Sequence, residues 1–239
     1  MSQYTSITDY YDLLMTQGYY DYQGMADAVY SLMKNRQKIL EIGVGTGLLA
    51  EKLLLLAPES EFTGVDITSS MLDVARKRLG KWGKLVEADV IDMNLQETFD
   101  MAVSSGGVWV INQRDDRFDL GTHDNNFERD LKGLTNVCKH LREHGLLLLS
   151  VQGDQKKYEQ SLPSGILYSQ DVKQLIDNNG IEVFEKSYFF KKDNEILAQQ
   201  KLRLKFIRQE KKEEILKQAG FNFLGIHDSQ KFHIYEKSS

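Results

Sequence analysis

The segment from Ile39 to Ala50, ILEIGVGTGLLA, constrains the fold of this chain more than any other. It is an apolar run that ends in an acidic residue and is followed by glycine at alternate positions, Gly43, Gly45 and Gly47, before a second apolar run. This order predicts a buried strand, a tight turn and the start of a helix. Glycine adopts backbone angles that other residues avoid, and it lets a ligand approach the N–H groups at the helix N-terminus. The segment therefore predicts a cofactor-binding turn.

The spacing of these glycines indicates the kind of cofactor. The dinucleotide fingerprint G-x-G-x-x-G would need its third glycine at Leu48, whereas the spacing here is G-x-G-x-G. Glu41 lies two residues before Gly43, where a carboxylate attracts a cationic amine and repels a diphosphate. The pattern favours a ligand with an ammonium group, and a nicotinamide oxidoreductase becomes the least favoured enzyme class.

Two more acidic residues follow predicted strands. Asp66 ends the strand EFTGVD, where a carboxylate can accept both hydroxyls of a ribose. The segment LVEADVIDM brings Asp89 to a third strand end, where its carboxylate and the N–H of Val90 can read the amino edge of an adenine. A cap on a helix or turn is the alternative role for Asp89. Three strand ends thus offer groups for an amine, a ribose and a base.

Strands and helices alternate from Ile39 to Ser150, which predicts an α/β fold with a parallel sheet and right-handed crossovers. The fourth strand is predicted at 100–104, followed by a long helix at about 126–142 and a fifth strand at 146–151. Ligands of such sheets bind at the carboxyl ends of the strands. The segment after the fourth strand lies at that edge and contains three candidate site residues: Trp109, Asn112 and His123.

The region after the fifth strand departs from this alternation. Residues 152–168 have a loop-like composition, residues 169–179 predict a short helix, and residues 181–190 and 195–207 predict an antiparallel hairpin. The segment between the fifth strand and the last helix is too long to serve only as a connection. We interpret it as a lid or a substrate platform.

The chain then divides into three parts. Residues 1–153 are predicted to form a helical cap and the ligand-binding core, and residues 154–206 an α+β insert. Residues 207–239 supply a last helix, which Gly220 ends, and an antiparallel strand pair that completes the core.

Seven tyrosines lie in the first 35 residues, which predict one or two helices with a break at Gly18. Tyrosine combines an apolar ring with a polar tip, which suits a cover over a ligand site. Tyr11 is our candidate for a cofactor contact, and Tyr20 and Tyr168 are candidates for substrate contacts. Ordinary packing onto the sheet is the alternative for each of them.

Composition excludes several classes of protein. A formal net charge of −5 gives no electrostatic footprint for nucleic acid, and the single cysteine, Cys138, excludes a disulfide framework or a cysteine zinc site. No apolar run is long enough to span a membrane, and the first residues lack a signal-peptide pattern. These features predict a cytoplasmic protein without a membrane or nucleic-acid partner and without a metal. The oligomeric state stays open, with a homodimer as one option.

The ordered motifs Glu41-x-Gly43-x-Gly45-x-Gly47, Asp66, Asp89 and FDMAVSSGGVWVIN resemble those of class I S-adenosylmethionine (SAM)-dependent methyltransferases. The resemblance covers residues 37–152, with a typical end at 208–237. It implies a Rossmann-like, mostly parallel sheet of seven strands with helices on both faces. The antiparallel insert is similar to that of the small-molecule branch, which includes amino-sugar N-methyltransferases and glycine N-methyltransferase. The resemblance thus implies SAM as the cofactor and a small-molecule acceptor, with nitrogen slightly ahead of oxygen as the methylated atom.

The resemblance also implies residue roles. Glu41 would face the amino end of the methionine moiety, Asp66 would hold the ribose, Asp89 the adenine, and 104–106 would lie beneath the sulfonium. The complete set of expected cofactor contacts is Glu41, Gly43, Gly45, Thr46, Gly47, Asp66, Ile67, Met71, Asp89, Val90, Ser104, Ser105, Gly106 and Tyr11.

Catalysis by such an enzyme needs mainly alignment of the reactants and removal of water. His123 is the candidate general base for a protonated acceptor, and a loop histidine that caps a helix or faces water is the alternative. Trp109 is either a wall against the acceptor or ordinary core. The N/D-P-P-Y/F signature of nucleic-acid-directed and protein-directed relatives is replaced by Ser-Ser-Gly-Gly at 104–107, which disfavours those targets.

Two other functions remain open at this stage. SAM could react with itself in a closed pocket and release methylthioadenosine, or the chain could be a SAM-sensing module or an inactive partner subunit without turnover.

Overall fold

The computed structural model describes residues 4–123 and 126–238. The helices are α1 (Thr8–Leu14), α2 (Tyr22–Met33), α3 (Leu48–Leu56), α4 (Ser69–Leu79), α5 (Phe127–His140) and α6 (Gln209–Gln218). Single helical turns cover Thr5–Ile7, Met15–Tyr19 and Pro163–Gly165. None of the helices in the described ranges is long and apolar enough to cross a membrane.

Thirteen strands form the sheet structure. They are β1 (Lys38–Ile42), β2 (Glu61–Asp66), β3 (Lys84–Glu87), β4 (Phe99–Ser104), β5 (Trp109–Arg114), β6 (Arg117–Thr122), β7 (Leu141–Gln152), β8 (Tyr158–Leu162), β9 (Ile166–Asn178), β10 (Ile181–Lys192), β11 (Glu195–Ile207), β12 (Phe221–Ile226) and β13 (Phe232–Lys237).

Seven of these strands form the core sheet, in the order β3-β2-β1-β4-β7-β13-β12. The first five are parallel, while β13 is antiparallel to β7 and to β12. The central strands have continuous apolar runs because helices cover both faces of the sheet. The α/β class and the Rossmann-like, mostly parallel sheet of seven strands are confirmed.

Two hydrophobic clusters fill the two faces of this sheet. One joins α5 and α6 to the sheet, with Leu134 and Ile215 fully buried. The other joins α2, α3 and α4 to the opposite face, with Val29 and Leu72 fully buried. Burial of this kind contributes about 1.5–3 kcal/mol for each large apolar side chain. The clusters fix the strand ends that surround the site.

A second sheet grows from the end of β7, in the order β5-β6-β11-β10-β9-β8. β5 pairs in parallel with β7 at Ile111↔Val151, and the remaining pairs are antiparallel. The predicted antiparallel insert is therefore present, but its sheet also takes in the 109–122 hairpin. This hairpin was not predicted: the segment after the fourth strand was expected only to lie at the carboxyl edge of the core sheet.

The predicted short helix at 169–179 is wrong. These residues belong to β9, which pairs with β10 from Leu167↔Lys191 to Asn178↔Ile181. Pairing with a long neighbouring strand outweighed the local preference for a helix, and the side chains of Leu175 and Ile176 on this strand are exposed. The described part of the insert is therefore β structure with one helical turn, and not an α+β unit. Part of the expected loop at 152–168 is also a strand, β8.

The N-terminal segment packs against the carboxyl edge of the core sheet. Its helices break at Gly18, where φ is 83°, as the sequence predicts. Tyr4, Tyr10, Tyr11, Tyr19 and Tyr20 pack in one cluster with buried side chains of β9, β10 and β11. The alternative reading of the tyrosines as packing residues thus describes most of them.

Candidate functional site

The glycine turn between β1 and α3 is the centre of the site. Its three glycines have φ values of 71°, 55° and 81° at Gly43, Gly45 and Gly47, a region that residues with a side chain rarely adopt. A Cβ on Gly43 would lie 2.5 Å from the Cα atom of Gly107. The first glycine is therefore needed both for its angle and for the close approach of the loop after β4.

Glu41, the penultimate residue of β1, is a buried acid with 2% of its surface exposed. Its Oε1 atom accepts a hydrogen bond from the hydroxyl of Ser105 at 2.9 Å, while Oε2 has no hydrogen-bond partner among the described residues. Burial raises the pKa of Glu41 to about 8, and the negative charge of Asp66 adds to the rise. A cation bound at Oε2 would give this oxygen a partner and would offset the free-energy cost of burying the negative charge.

Asp66 ends β2 and joins this strand to the glycine turn. Its Oδ2 atom accepts from the backbone N–H of Gly45 at 2.9 Å, and Oδ1 accepts from that of Thr68 at 2.8 Å. Burial raises the pKa of Asp66, and the backbone hydrogen bonds oppose that rise. Each carboxylate oxygen has a second lone pair, so both can accept a further hydroxyl.

Asp89 lies after β3 and makes two contacts. Its Oδ1 atom accepts from the N–H of Ile91 at 3.0 Å, and Oδ2 accepts from Nη2 of Arg129 at 3.0 Å. The first bond is the turn cap that the sequence left as an alternative, and the residue also lines the main cavity described below. Both readings of Asp89 are thus compatible with its position.

Trp109 packs beside Val90, since a Cβ built on Gly133 would lie 2.9 Å from the Trp109 ring and 3.4 Å from Val90. Trp109 is 1% exposed, and its indole N–H donates to Oδ1 of Asp130 at 3.1 Å. Trp109 is therefore a core residue whose ring edge also reaches the cavity wall.

These residues surround one space at the carboxyl ends of the core strands, which we call the main cavity. Most of the residues expected from the sequence line it: Tyr11, Glu41, Gly43, Gly45, Thr46, Asp66, Ile67, Met71, Asp89, Val90, Ser105, Gly106, Trp109 and His123. Residues far apart in the chain meet here because parallel strands end at the same edge of the sheet.

Two expected cofactor contacts lie just outside the main cavity lining. Gly47 caps α3 and packs against Leu79, and a Cβ there would lie 3.3 Å from that side chain. Ser104 is fully buried, and its hydroxyl accepts from the N–H of Trp109 at 3.2 Å. Both residues shape the turn and loop from behind.

Two residues expected as substrate contacts, Asn112 and Tyr168, do not line the main cavity. Asn112 is fully buried on β5, where its Nδ2 donates to the carbonyl of Gly153 at 2.7 Å. Tyr168 is fully buried on β9, packs on Phe190 with ring centroids 5.3 Å apart, and donates to Gln170. Both became internal because 109–122 and 166–178 are strands of the second sheet and not loops over the site.

Two further spaces continue from the main cavity. The inner chamber shares Tyr4, Gly106, Val108 and His123 with the main cavity and has a volume of about 40 Å³. The outer cavity, of about 420 Å³, shares Tyr20, Gln152 and Gln155 with the inner chamber. Tyr20 thus lies along this second path and does not line the main cavity.

Lys186 of β10 lines the inner chamber and was missed by the sequence reasoning. A signal was present, because β10 alternates strictly and its inward row is Glu182, Phe184, Lys186, Tyr188 and Phe190. A lysine at an inward-facing position of a strand, among apolar side chains, indicates a buried charge, and a buried charge is rare unless it has a partner.

His123 lies between the main cavity and the inner chamber. Its Nε2 atom is 3.4 Å from the hydroxyl of Tyr4, and the two rings meet edge to face. Burial lowers the pKa of His123 to about 4, the positive charge of Lys186 lowers it further, and the backbone of Gly106 opposes the shift. His123 is therefore neutral at pH 7 and a weaker base than the sequence analysis expected.

An ionic clamp, also missed from the sequence, fastens α1 to the glycine turn. Oδ1 of Asp12 accepts from the hydroxyl of Thr46 at 2.5 Å, and the same carboxylate pairs with Arg78. Arg78 also donates to the carbonyl of Thr46 at 2.9 Å. We call these three residues the Asp12 clamp.

Comparisons with known proteins agree with this geometry. Residues 39–123 match the family model described as "Methyltransferase domain". The matched part contains the glycine turn, Asp66, Asp89 and His123.

Among curated proteins, a malonyl-[acyl-carrier protein] O-methyltransferase of Bacillus cereus is 30% identical over 137 residues, which are 54% of this chain and 45% of that protein. The chain thus spans about half the length of the curated relatives it matches. Among solved structures, the SAM-bound amino pentose methyltransferase CalS10 of Micromonospora echinaspora is similar with a TM-score of 0.70 and 15% identity, covering 95% of this chain and 96% of that one. A SAM-dependent methyltransferase of Clostridium acetobutylicum gives 0.69 at 15% identity and covers 99% of both chains. At this identity the likeness establishes the fold.

Proposed function

The chain carries a methyltransferase domain and has the fold of the class I enzymes that use SAM as cofactor, and from this premise we propose that it transfers the methyl group of SAM to a small-molecule acceptor. The observation that carries the proposal is the meeting of three strand-end carboxylates and the glycine turn around one cavity. SAM offers a group to match each of them: an ammonium, a ribose and an adenine.

Glu41 is proposed to hold the ammonium of the methionine moiety. The unpartnered Oε2 atom and the raised pKa of Glu41 both favour binding of a cation at this position. Gly43, Gly45 and Thr46 would line the same moiety with their backbone, because no side chain separates the two glycines from the cavity.

Asp66 is proposed to accept the ribose hydroxyls while it keeps its bonds to the backbone of Gly45 and Thr68. Asp89 and the N–H of Val90 would read the adenine edge, with Arg129 beside the carboxylate. Ile67 and Met71 would pack on the nucleoside from the α4 side. Each role uses an atom that already lines the main cavity.

The methyl-transfer end is proposed to lie near Gly106, where the main cavity meets the inner chamber. The loop of Ser104, Ser105 and Gly106 would pass beneath the sulfonium, with Gly47 supporting the turn from behind. Tyr11 would cover the cofactor from the N-terminal side.

When bound, SAM supplies an electrophilic methyl group and leaves as S-adenosylhomocysteine. The residues of this chain hold the reactants in line and exclude water, which can contribute on the order of 7–11 kcal/mol to lowering the barrier. Neutral His123 lies where the main cavity meets the inner chamber. It would accept one hydrogen bond from the methyl acceptor or donate one to it. This role requires less basicity than proton removal.

The second sheet is proposed to serve as the acceptor platform, because its strands β6, β10 and β11 wall the inner chamber. The relatives differ in the acceptor atom: the curated relative from Bacillus cereus is named for an oxygen acceptor and CalS10 for an amino sugar. The sequence placed nitrogen slightly ahead of oxygen, and the two kinds of relative do not decide between them.

Calorimetry with SAM, followed by product analysis, tests the proposal. We expect the wild-type protein to bind SAM and Asp66→Ala to bind it at least about a hundredfold more weakly, because a ribose left without its acceptor loses hydrogen bonds to a charged group. Turnover must yield S-adenosylhomocysteine. Methylthioadenosine would instead support self-reaction of SAM, and tight binding without either product on a metabolite pool would support a sensing module. An unchanged affinity in Asp66→Ala would contradict the assigned site.

A further inference from the structure

Lys186 is a fully enclosed cation on the inward face of β10. It is 2% exposed, and it lines the inner chamber together with Tyr4, His123 and Tyr188. Its ammonium donates to the hydroxyl of Tyr19 at 3.0 Å and to Oε1 of Gln155 at 2.8 Å. An ammonium has three donors, and these bonds account for two of them.

The other buried charges on β10 and β11 provide an internal comparison. Glu182 of β10 pairs with Arg114, Arg117 and Arg208. Lys205 of β11 pairs with buried Asp130. Lys186 forms no ion pair within the described ranges, although burial of a charge is costly unless it is paired.

The titratable groups that line the chamber in the described part of the chain provide no negative charge to Lys186, and its ammonium instead lies 4.7 Å from the ring centroid of Tyr188, a cation–π contact. Burial raises the pKa of Tyr4, Tyr19 and Tyr188 and lowers that of His123, so all four are neutral at pH 7. No Asp or Glu is found among the described residues that line the chamber. Burial lowers the pKa of Lys186 to about 7, which is the response of a cation without a counter-ion.

The size of the chamber limits what fits beside Lys186. A site for one water needs roughly 10–15 Å³, so a chamber of about 40 Å³ has room for a small polar head group and not for a whole acceptor molecule. A carboxylate group has three heavy atoms. The outer cavity of about 420 Å³ has room for the body of a molecule whose head lies in the chamber.

We propose that the inner chamber binds the carboxylate of the acceptor against Lys186, and that an oxygen of this carboxylate receives the methyl group. The inference rests on the proposed function and identifies its substrate class as carboxylic acids. The chamber shares Gly106 and His123 with the main cavity, so a group held there is the part of the acceptor nearest to the cofactor. Lys186 acts as a positioning counter-ion and neutral His123 as a hydrogen-bond partner.

The step balances without a proton acceptor. A lone pair of the carboxylate oxygen forms the new O–CH₃ bond, the C–S bond of SAM breaks, and its electron pair stays on sulfur. The products are a neutral methyl ester and the neutral thioether of S-adenosylhomocysteine. A weakly basic His123 is therefore no obstacle, whereas a protonated amine acceptor would meet an uncompensated cation in the chamber.

The test compares hexanoate, hexylamine and hexanamide, which share one chain and differ in head-group charge. Binding is measured by calorimetry on protein saturated with S-adenosylhomocysteine, and products are measured with SAM by gas chromatography. The variants are Lys186→Met, which keeps the length and removes the charge, and Lys201→Met, an exposed lysine on β11, as the matched control.

We expect hexanoate to bind more tightly than hexylamine or hexanamide and to yield methyl hexanoate. Lys186→Met should lower the hexanoate affinity at least about tenfold, while Lys201→Met leaves it unchanged. The melting temperature of Lys186→Met without ligand should equal or exceed that of the wild type, because an unpaired buried charge is removed; this separates lost binding from misfolding.

Equal hexanoate affinity in Lys186→Met and wild type would overturn the proposal, and so would preferred methylation of hexylamine. In both cases SAM binding and S-adenosylhomocysteine formation would still uphold the methyltransferase function. Failure of the wild type to bind SAM would overturn the proposed function and this inference with it.

Discussion

Glu41 is a buried residue whose hydrogen bonding and pKa indicate the kind of group that it can bind. One of its carboxylate oxygens is bonded to Ser105 and the other has no partner in the described structure, although the side chain is buried. Its folded pKa of about 8 lies above the usual value of 4.5. Between these values the folded state retains a proton that the unfolded state releases, so the contribution of Glu41 to stability falls as pH rises through this window.

The first prediction follows from this loss of stability with rising pH. Glu41→Gln removes the titration, so we expect the ligand-free variant to gain stability relative to the wild type as pH rises from about 5 to 8. Thermal unfolding at several pH values measures the difference. Glu59→Gln, which removes an exposed carboxylate, serves as the control and should show no such trend.

The same residue gives a second prediction, on SAM binding. An ammonium at Oε2 stabilises the ionised form of Glu41, so binding at pH 7 should release a proton from this side chain. Calorimetry in buffers of different ionisation enthalpy counts the protons released. Equal proton release in Glu41→Gln and wild type would show that another group, and not Glu41, loses the proton.

His123 gives the third prediction. His123→Ala should lower turnover by about tenfold, the loss of one hydrogen bond of about 1.4 kcal/mol in the transition state, with SAM affinity nearly unchanged. His144→Ala, an exposed histidine on β7, is the control. Because its pKa is about 4, His123 should leave no inflection in the turnover profile between pH 6 and 8. Equal turnover in His123→Ala and wild type would remove this residue from the mechanism.

At the scale of elements, the sequence predicted best where one local rule dominates. The glycine turn requires positive φ at Gly43, Gly45 and Gly47, so its position could be found from residue types alone. The strand ends at Glu41, Asp66 and Asp89 followed from apolar runs, and the fold then brought them together. These parts of the site depend on short-range patterns and on the geometry of parallel sheets.

The prediction failed where long-range pairing decides. Residues 166–178 became a strand because β10 offers a full ladder of hydrogen bonds, and no local window of sequence contains that partner. Asn112 and Tyr168 were placed at the site because their segments had been taken as loops. Lys186 was overlooked because its proposed role depends on which side chains surround it in the folded protein, and no ion-pair partner of Lys186 lies among the described residues.

The Asp12 clamp gives a prediction at this scale. Asp12→Ala should weaken SAM binding and reduce stability by about 1.5–3 kcal/mol, since it removes contacts that α1 makes with Thr46 and Arg78. Asp9→Ala, an exposed acid on the same helix, should change neither. Calorimetry and denaturant unfolding measure the two effects, and equal behaviour of the two variants would contradict a role of the clamp.

At the scale of the whole molecule, the two sheets share β7. This strand pairs with β4 and β13 in the core and continues to Val151 and Gln152, which pair with β5. The second sheet is thereby hydrogen-bonded to the core sheet. The N-terminal segment, in contrast, is attached through side chains.

Hydrogen exchange can test this difference in attachment. On addition of SAM, we expect slower exchange mainly in residues 8–20, because Tyr11 lines the main cavity and α1 rests on the glycine turn. Strands β9 to β11 should change little. The Asp66→Ala protein, in which SAM binding is expected to fail, provides the baseline, and a change concentrated in β9 to β11 would contradict this prediction.

The continuity of β7 also bears on how molecules enter and leave. If the second sheet moved as a lid, the hydrogen bonds between β5 and β7 would have to break. We therefore expect this sheet to stay in place when ligands bind. The N-terminal segment over the main cavity is attached through side-chain contacts, so we expect ligands to enter and leave between residues 4–20 and the core sheet. This route would separate α1 from the glycine turn at the Asp12 clamp, while the hydrogen bonds between the two sheets stay intact.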